Sequence, residues 1–130
     1  MRGKGCFFMN GNIEYKNDVF CMLMEYPENA LQVYNALNNT DYTDAGLVEM
    51  KTIKGGISLS VKNDAAFIVG NDLNLYEHQS TYNPNMPIRH LIYFADIIEP
   101  YVKNRDLYSK KKIRIPVPHF VVFYNGECNR

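Results

Sequence analysis

Asp64-Ala-Ala-Phe-Ile-Val-Gly-Asn-Asp-Leu-Asn-Leu-Tyr-Glu77-His78-Gln79 sets two strand-forming runs on either side of a Gly-Asn pair. Gly70-Asn71 reads as a two-residue hairpin loop, with Gly supplying the positive φ of a primed turn. Val69 then pairs with Asp72, and paired positions sum to 141. Asp64 and Glu77 satisfy that sum, so they are expected as direct cross-strand neighbours with Cβ atoms roughly 5 Å apart. Side chains two positions apart share a sheet face, which adds Gln79 to the cluster. Two carboxylates this close, with no basic residue in either strand core, repel unless a proton or a metal cation lies between them. The pattern fits a divalent metal site, and it also fits an ordinary polar strand edge. A loop at Asn71-Asp72 would instead set Asp64 against Gln79 and leave the cluster skewed.

Outward from the hairpin, the chain reads as alternating helices and strands. Asn17 or Asp18 can cap a helix over residues 19–24, and Pro27 interrupts it and opens a second helix to Asn38. Leu31, Tyr34 and Leu37 recur along that second helix, and Asn38-Asn39 closes it. Val48 to Lys54 predicts a short strand. Gly55-Gly56 then turns the chain into a strand from Ile57 to Val69, and Gly70-Asn71 into one from Leu73 to Thr81. Pro87 suits a helix start, after which Ile88, Leu91, Ile92, Ala95, Ile98 and Val102 keep a helical period, with Arg89, Tyr93 and Asp96 off the stripe. Val117 to Tyr124 is almost wholly apolar, which predicts a central strand buried on both faces. A helical crossover before it favours parallel pairing with a strand of the meander. The expected fold is α/β: a mixed β-sheet of a three-strand meander plus one strand after a helical crossover, flanked by helices.

The chain has 130 residues, the size of one domain with one core, and its 46% hydrophobic and 22% charged composition is that of a soluble globular protein. Residues 1–14 are expected to be a loose N-terminal segment and 15–130 a single domain. No apolar run nears the roughly 20 residues of a membrane span, and the start lacks a signal-peptide core, so no membrane partner and a cytoplasmic location are expected. Cys6, Cys21 and Cys128 have no paired spacing, which excludes a disulfide framework and a zinc knuckle. The formal net charge is zero, so only local clustering points to nucleic acid. Lys103, Arg105, Lys110, Lys111, Lys112 and Arg114 form such a cluster, which fits either a phosphate-binding patch or a solvated loop. Arg89, off the apolar stripe, could hold a phosphate or lie idle on the surface. His78 points away from Glu77 and is expected as a packed core histidine.

Tyr76-Glu77-His78-Gln79-Ser80-Thr81 resembles the E-H-Q-S-T signature of the Rpn family, the recombination-promoting nucleases also described as YhgA-like transposases. Asp18-Val-Phe20 resembles the family's N-terminal D-x-x-F-type helix, though Phe here directly follows the single Val. Arg89-His90-Leu91-Ile92-Tyr93 resembles its R-x-x-x-Y helix, and Pro118 to Gly126 its apolar strand ending in F-Y-x-G. These segments span residues 18 to 126 in the family's order. The resemblance implies a PD-(D/E)XK nuclease domain with a restriction-endonuclease-like core. It implies a Mg²⁺-dependent DNA endonuclease that hydrolyses phosphodiesters with metal-activated water. Asp64 and Glu77 would be the metal ligands, with the carbonyl of His78 as a third. Gln79 stands where related nucleases carry Lys, as is common in this family. An amide can orient water but cannot deprotonate it. Asp18 would add a carboxylate or simply cap its helix, and Arg89, Lys110, Lys111, Lys112 and Arg114 would contact DNA. Family members continue past F-Y-x-G into a helical region that this chain, ending at Arg130, lacks. A catalytically silent remnant that binds DNA or protein is the alternative expectation, and a homo-oligomer stays open.

Overall fold

The computed structural model describes residues 19–52 and 64–126. The expectations for Asp18, residues 1–14, the Gly55-Gly56 turn and the strand before Asp64 lie outside the described residues.

Helix α1 covers residues 19–24, and α2 runs Pro27–Asn38. Pro27 suits the first turn of α2, where its missing N–H costs nothing. Asn39 ends the helix in the left-handed region at φ 54, and its N–H reaches the carbonyl of Asn35. Strands β1 (Val48–Lys51), β2 (Asp64–Val69) and β3 (Asp72–Gln79) form the meander. Helix α3 (Met86–Val102) crosses over to β4 (Val117–Tyr124). The four strands lie in chain order, with β1–β2 and β2–β3 antiparallel and β3–β4 parallel. The protein is therefore α/β with a mixed sheet flanked by helices, and the helical crossover does give the expected parallel pair. No helix among the described residues is long and apolar enough to cross a membrane.

The hairpin has the register read from the sequence. Val69 faces Asp72, and Asp64 faces Glu77. Gly70 at φ +61, followed by an Asn71 outside the left-handed region, is the pattern of a II′ turn.

The sheet separates two cores. On one face Met24, Ala30, Leu31 and Tyr34 pack on Val48, Ala65, Phe67, Val69 and Tyr76. On the other, Tyr93, Ile97 and Ile98 of α3 pack on Ala66, Ile68, Leu73 and Leu75. Leu37, the last member of the expected α2 stripe, is exposed where its helix ends.

Two expectations need correction. Strand β4 is not central: it forms an edge of the described sheet, and Val117, Phe120, Val122 and Tyr124 remain partly in solvent. Its apolar letters reported the residue types but not the strand order, which is decided by the crossover. The strands buried on both faces are β2 and β3, although β3 carries Asn74, Glu77, His78 and Gln79. The inward face of α3 is also rotated. Met86, His90, Tyr93 and Ile97 are buried, whereas Ile88 and Leu91 are 60% and 64% exposed. An apolar-letter count misses a helix face that is drawn inward by polar groups, here the buried acid opposite Arg89 and His90.

Candidate active site

Asp64 sits at the first described position of β2 and Glu77 near the end of β3, both on the face that α3 covers. Counted from the turn-closing pair, the ladder makes them a non-hydrogen-bonded pair, in which Cα atoms approach to about 4.5 Å. Glu77 is 1% exposed. An ionised carboxylate that deep must be paired, and α3 supplies the partner that neither strand has. Arg89 Nη1 lies 3.0 Å from Glu77 Oε1, and Arg89 Nη2 lies 3.9 Å from Asp64 Oδ2. Arg89 Nη2 also donates to the Tyr93 hydroxyl at 3.4 Å, four residues on along the same helix face. Gln79 Nε2 donates to Glu77 Oε1 at 3.1 Å and touches the Met86 sulfur.

This network satisfies one side of the acid pair only. Asp64 Oδ1, Glu77 Oε2 and His90 Nε2 are all buried without a hydrogen-bond partner. Glu77 Oε2 and His90 Nε2 stand 3.5 Å apart, beyond the usual N–H···O range. The His90 ring is stacked on Phe120 of β4, with centroids 5.0 Å apart and planes 12° from parallel.

The two acids are pushed apart in proton affinity. Burial, then the adjoining Glu77 carboxylate, raises Asp64 from its ordinary 3.8 to about 7. Burial also opposes the charge of Glu77, but His90, Asp64, Arg89 and Gln79 together outweigh it and hold Glu77 below its usual range. The pair therefore favours its negative charge on Glu77 and its proton on Asp64.

Of the residues expected from sequence, Asp64, Glu77, Gln79 and Arg89 converge. Arg89 is not idle on the surface, because its guanidinium is engaged by Glu77. The His78 side chain lies on the opposite face, its ring 5.7 Å from that of Phe20, so only its carbonyl can join the site. Lys110, Lys111, Lys112 and Arg114 are exposed in the segment entering β4. That segment meets the sheet where Val117 pairs with Asp72. Five strand steps separate this pairing from Glu77, roughly 16 Å at about 3.3 Å each, so the segment joins the sheet at the end away from the acids. Sequence reading left out His90 and the hydroxyl of Tyr93. The available signal was their spacing: Tyr93 is four residues after Arg89, and His90 adjoins it.

Among the described residues no three His, Cys, Asp or Glu side chains converge as a preformed metal cage.

A second acid cluster occupies the other face, at the turn end of the hairpin. Tyr34 of α2 donates to Asp72 Oδ2 at 2.7 Å, and His119 Nε2 of β4 lies 3.1 Å from Asp72 Oδ1. Both carboxylate oxygens are engaged. Burial, then the Asp72 hydrogen bond, pushes the Tyr34 hydroxyl up to about 12. Asp72 and His119 keep 32% and 42% of their side chains in solvent.

Compared with protein-family models, curated proteins and solved structures, the chain matches none.

Proposed function

We propose that the chain is a metal-dependent DNA endonuclease domain of the recombination-promoting type, built on a restriction-endonuclease-like core. One observation carries the reading: Asp64 and Glu77 are direct cross-strand neighbours, each with a buried oxygen that has no partner. Unpartnered carboxylate oxygens are costly in a protein interior, and they are the hard donors that Mg²⁺ prefers. Asp64 and Glu77 would hold the ion, with the carbonyl of His78 between Glu77 and Gln79 as a third donor. A bound Mg²⁺ would polarise a phosphoryl oxygen and lower the pKa of a coordinated water.

The chain's own residues prepare that site. Gln79 fixes Glu77 through its amide, so it is a positioning residue for the carboxylate and supplies no base. Arg89 neutralises the acids in the resting protein. It stands where its fork could transfer to a phosphate oxygen, the bidentate partner that guanidinium fits best. Asp64 would hold the ion as a carboxylate, so it would have to be deprotonated to bind. The exposed lysines in the segment entering β4 would contact the phosphate backbone of the same substrate.

A second reading, a catalytically silent DNA- or protein-binding domain, is favoured by the Arg89–Glu77 pair, which satisfies half of the cluster without an ion. Nicking of supercoiled plasmid separates the two. The endonuclease reading expects wild-type cleavage that depends on a divalent cation and disappears in Asp64→Ala and Glu77→Ala. Cleavage retained in both variants would remove these residues from the site, and an inactive wild type would leave the binding domain.

A further inference from the structure

The two-carboxylate site leaves one nearby group unused. His90 is 6% exposed, and its Nε2 is buried without a hydrogen-bond partner, facing an equally unpartnered Glu77 Oε2 at 3.5 Å. That distance is long for a hydrogen bond. It is close to the separation of two donor atoms on one small cation. Ligands at 2.0–2.1 Å stand roughly 3.0 Å apart when cis on an octahedron and roughly 3.4 Å apart on a tetrahedron. Stacking on Phe120 fixes the ring plane, and helix α3 fixes its origin, so packing holds the nitrogen at this spacing.

We propose that His90 Nε2 is a metal ligand beside Glu77 Oε2, giving the cation site a nitrogen and a preference for Mn²⁺ over Mg²⁺. The described residues hold no preformed cage of three. The pair is therefore the nucleus of the site, and Asp64 Oδ1, buried and unpartnered, is the atom left to join it. Imidazole binds poorly to Mg²⁺, which keeps oxygen ligands and water, whereas a mixed carboxylate–imidazole set suits first-row transition ions. Arg89 and Gln79 both engage Oε1 of Glu77, which leaves Oε2 for the cation without breaking either contact. The inference rests on the cation site of the proposed endonuclease but adds a ligand and a metal preference of its own.

The test uses the full chain and metal binding, with no need for cleavage. Thermal melting is followed through Mg²⁺ and Mn²⁺ titrations of wild type, His90→Phe and Asp64→Ala. Phe keeps a ring against Phe120 and removes the nitrogen. In wild type, Mn²⁺ is expected to raise Tm at concentrations at least tenfold below those needed for Mg²⁺. His90→Phe should erase that difference and keep the Mg²⁺ response, and Asp64→Ala should weaken both. Electron spin-echo modulation of Mn²⁺ bound to wild type gives a reading independent of any variant's folding, and a ¹⁴N signal from a directly bound imidazole is expected. Equal responses to the two ions, an unchanged preference in His90→Phe, or bound Mn²⁺ without nitrogen modulation would each overturn the role of His90 while leaving the carboxylate site standing. No response of wild type to either ion would overturn both.

Discussion

One sheet carries two acid clusters that a sequence treats alike, and they have opposite characters. Around Asp72 the carboxylate receives Tyr34 on one oxygen and His119 on the other, at the edge of solvent. Around Asp64 and Glu77 a deeper pair receives Arg89 and Gln79 on one side and leaves two oxygens and a histidine nitrogen without partners. The first cluster ties α2, β3 and β4 together, and both carboxylate oxygens of Asp72 are engaged. The second is held in an arrangement that its own hydrogen bonds do not satisfy. Buried polar groups are nearly always paired, and these unpaired atoms are the ones the proposed cation would satisfy.

The largest effect that tests this contrast comes from Glu77. Glu77→Ala leaves the Arg89 guanidinium without its closest partner. Loss of about 3 kcal/mol in urea unfolding is expected, the low end for a broken buried pair because Arg89 keeps a fifth of its side chain in water. Asp64→Asn should cost nothing or stabilise the metal-free protein, because it removes the acid that already prefers its proton. Equal losses in the two variants would show that the acids are not differently satisfied. The repulsion read from the hairpin alone took no account of Arg89, which faces both acids.

Acidity gives the next effect. Asp64 binds its proton more tightly when folded than when unfolded, so its contribution is fully present below about pH 4 and is lost as pH rises through about 7. Glu77 runs the other way, contributing above its ordinary 4.5 and losing that contribution in more acidic solution. Between pH 4.5 and 7.5 the Asp64 effect should dominate, and unfolding free energy should fall by on the order of 2 kcal/mol. Asp64→Asn should flatten the profile. A wild type whose stability rises over that interval would contradict a protonated Asp64.

The Asp72 cluster should yield the smallest change. Tyr34→Phe removes one hydrogen bond to a half-exposed carboxylate, a loss of about 1 kcal/mol. His119→Gln should cost less and leave metal response and plasmid cleavage as in wild type. A lost cleavage activity in either variant would mean that the Asp72 cluster also takes part in function.

Much of the acid site was legible in the hairpin alone. A Gly-Asn turn fixes register locally, and register fixes which side chains are neighbours, so Asp64, Glu77 and Gln79 could be grouped before any fold was known. Arg89 was noticed as off the apolar stripe, but its contact with Glu77 depends on how α3 is rotated over the sheet. That rotation follows from His90 and Tyr93 turning inward, which apolar periodicity treats as an outward face. The place of β4 was illegible for a related reason: its letters are those of a buried strand, and strand order is a property of the whole sheet. The end of the sheet at which the basic segment enters likewise needed the pairing of Val117 with Asp72.

The Gly70-Asn71 turn also sets an order of events in folding. Asp64 and Glu77 are thirteen positions apart, whereas Asp72 and its β4 partner Val117 are forty-five apart. Closing the nearer contact costs less chain entropy, and a hairpin forms in about 1–10 μs. The two acids are therefore expected to come side by side before the helix that carries Arg89 docks. Their repulsion falls on the early hairpin and is relieved only later, so protonation or Asp64→Asn should steepen the approach to the native state and quicken refolding. A pair held in place in the finished protein is, for the folding chain, a barrier that persists until the third helix arrives.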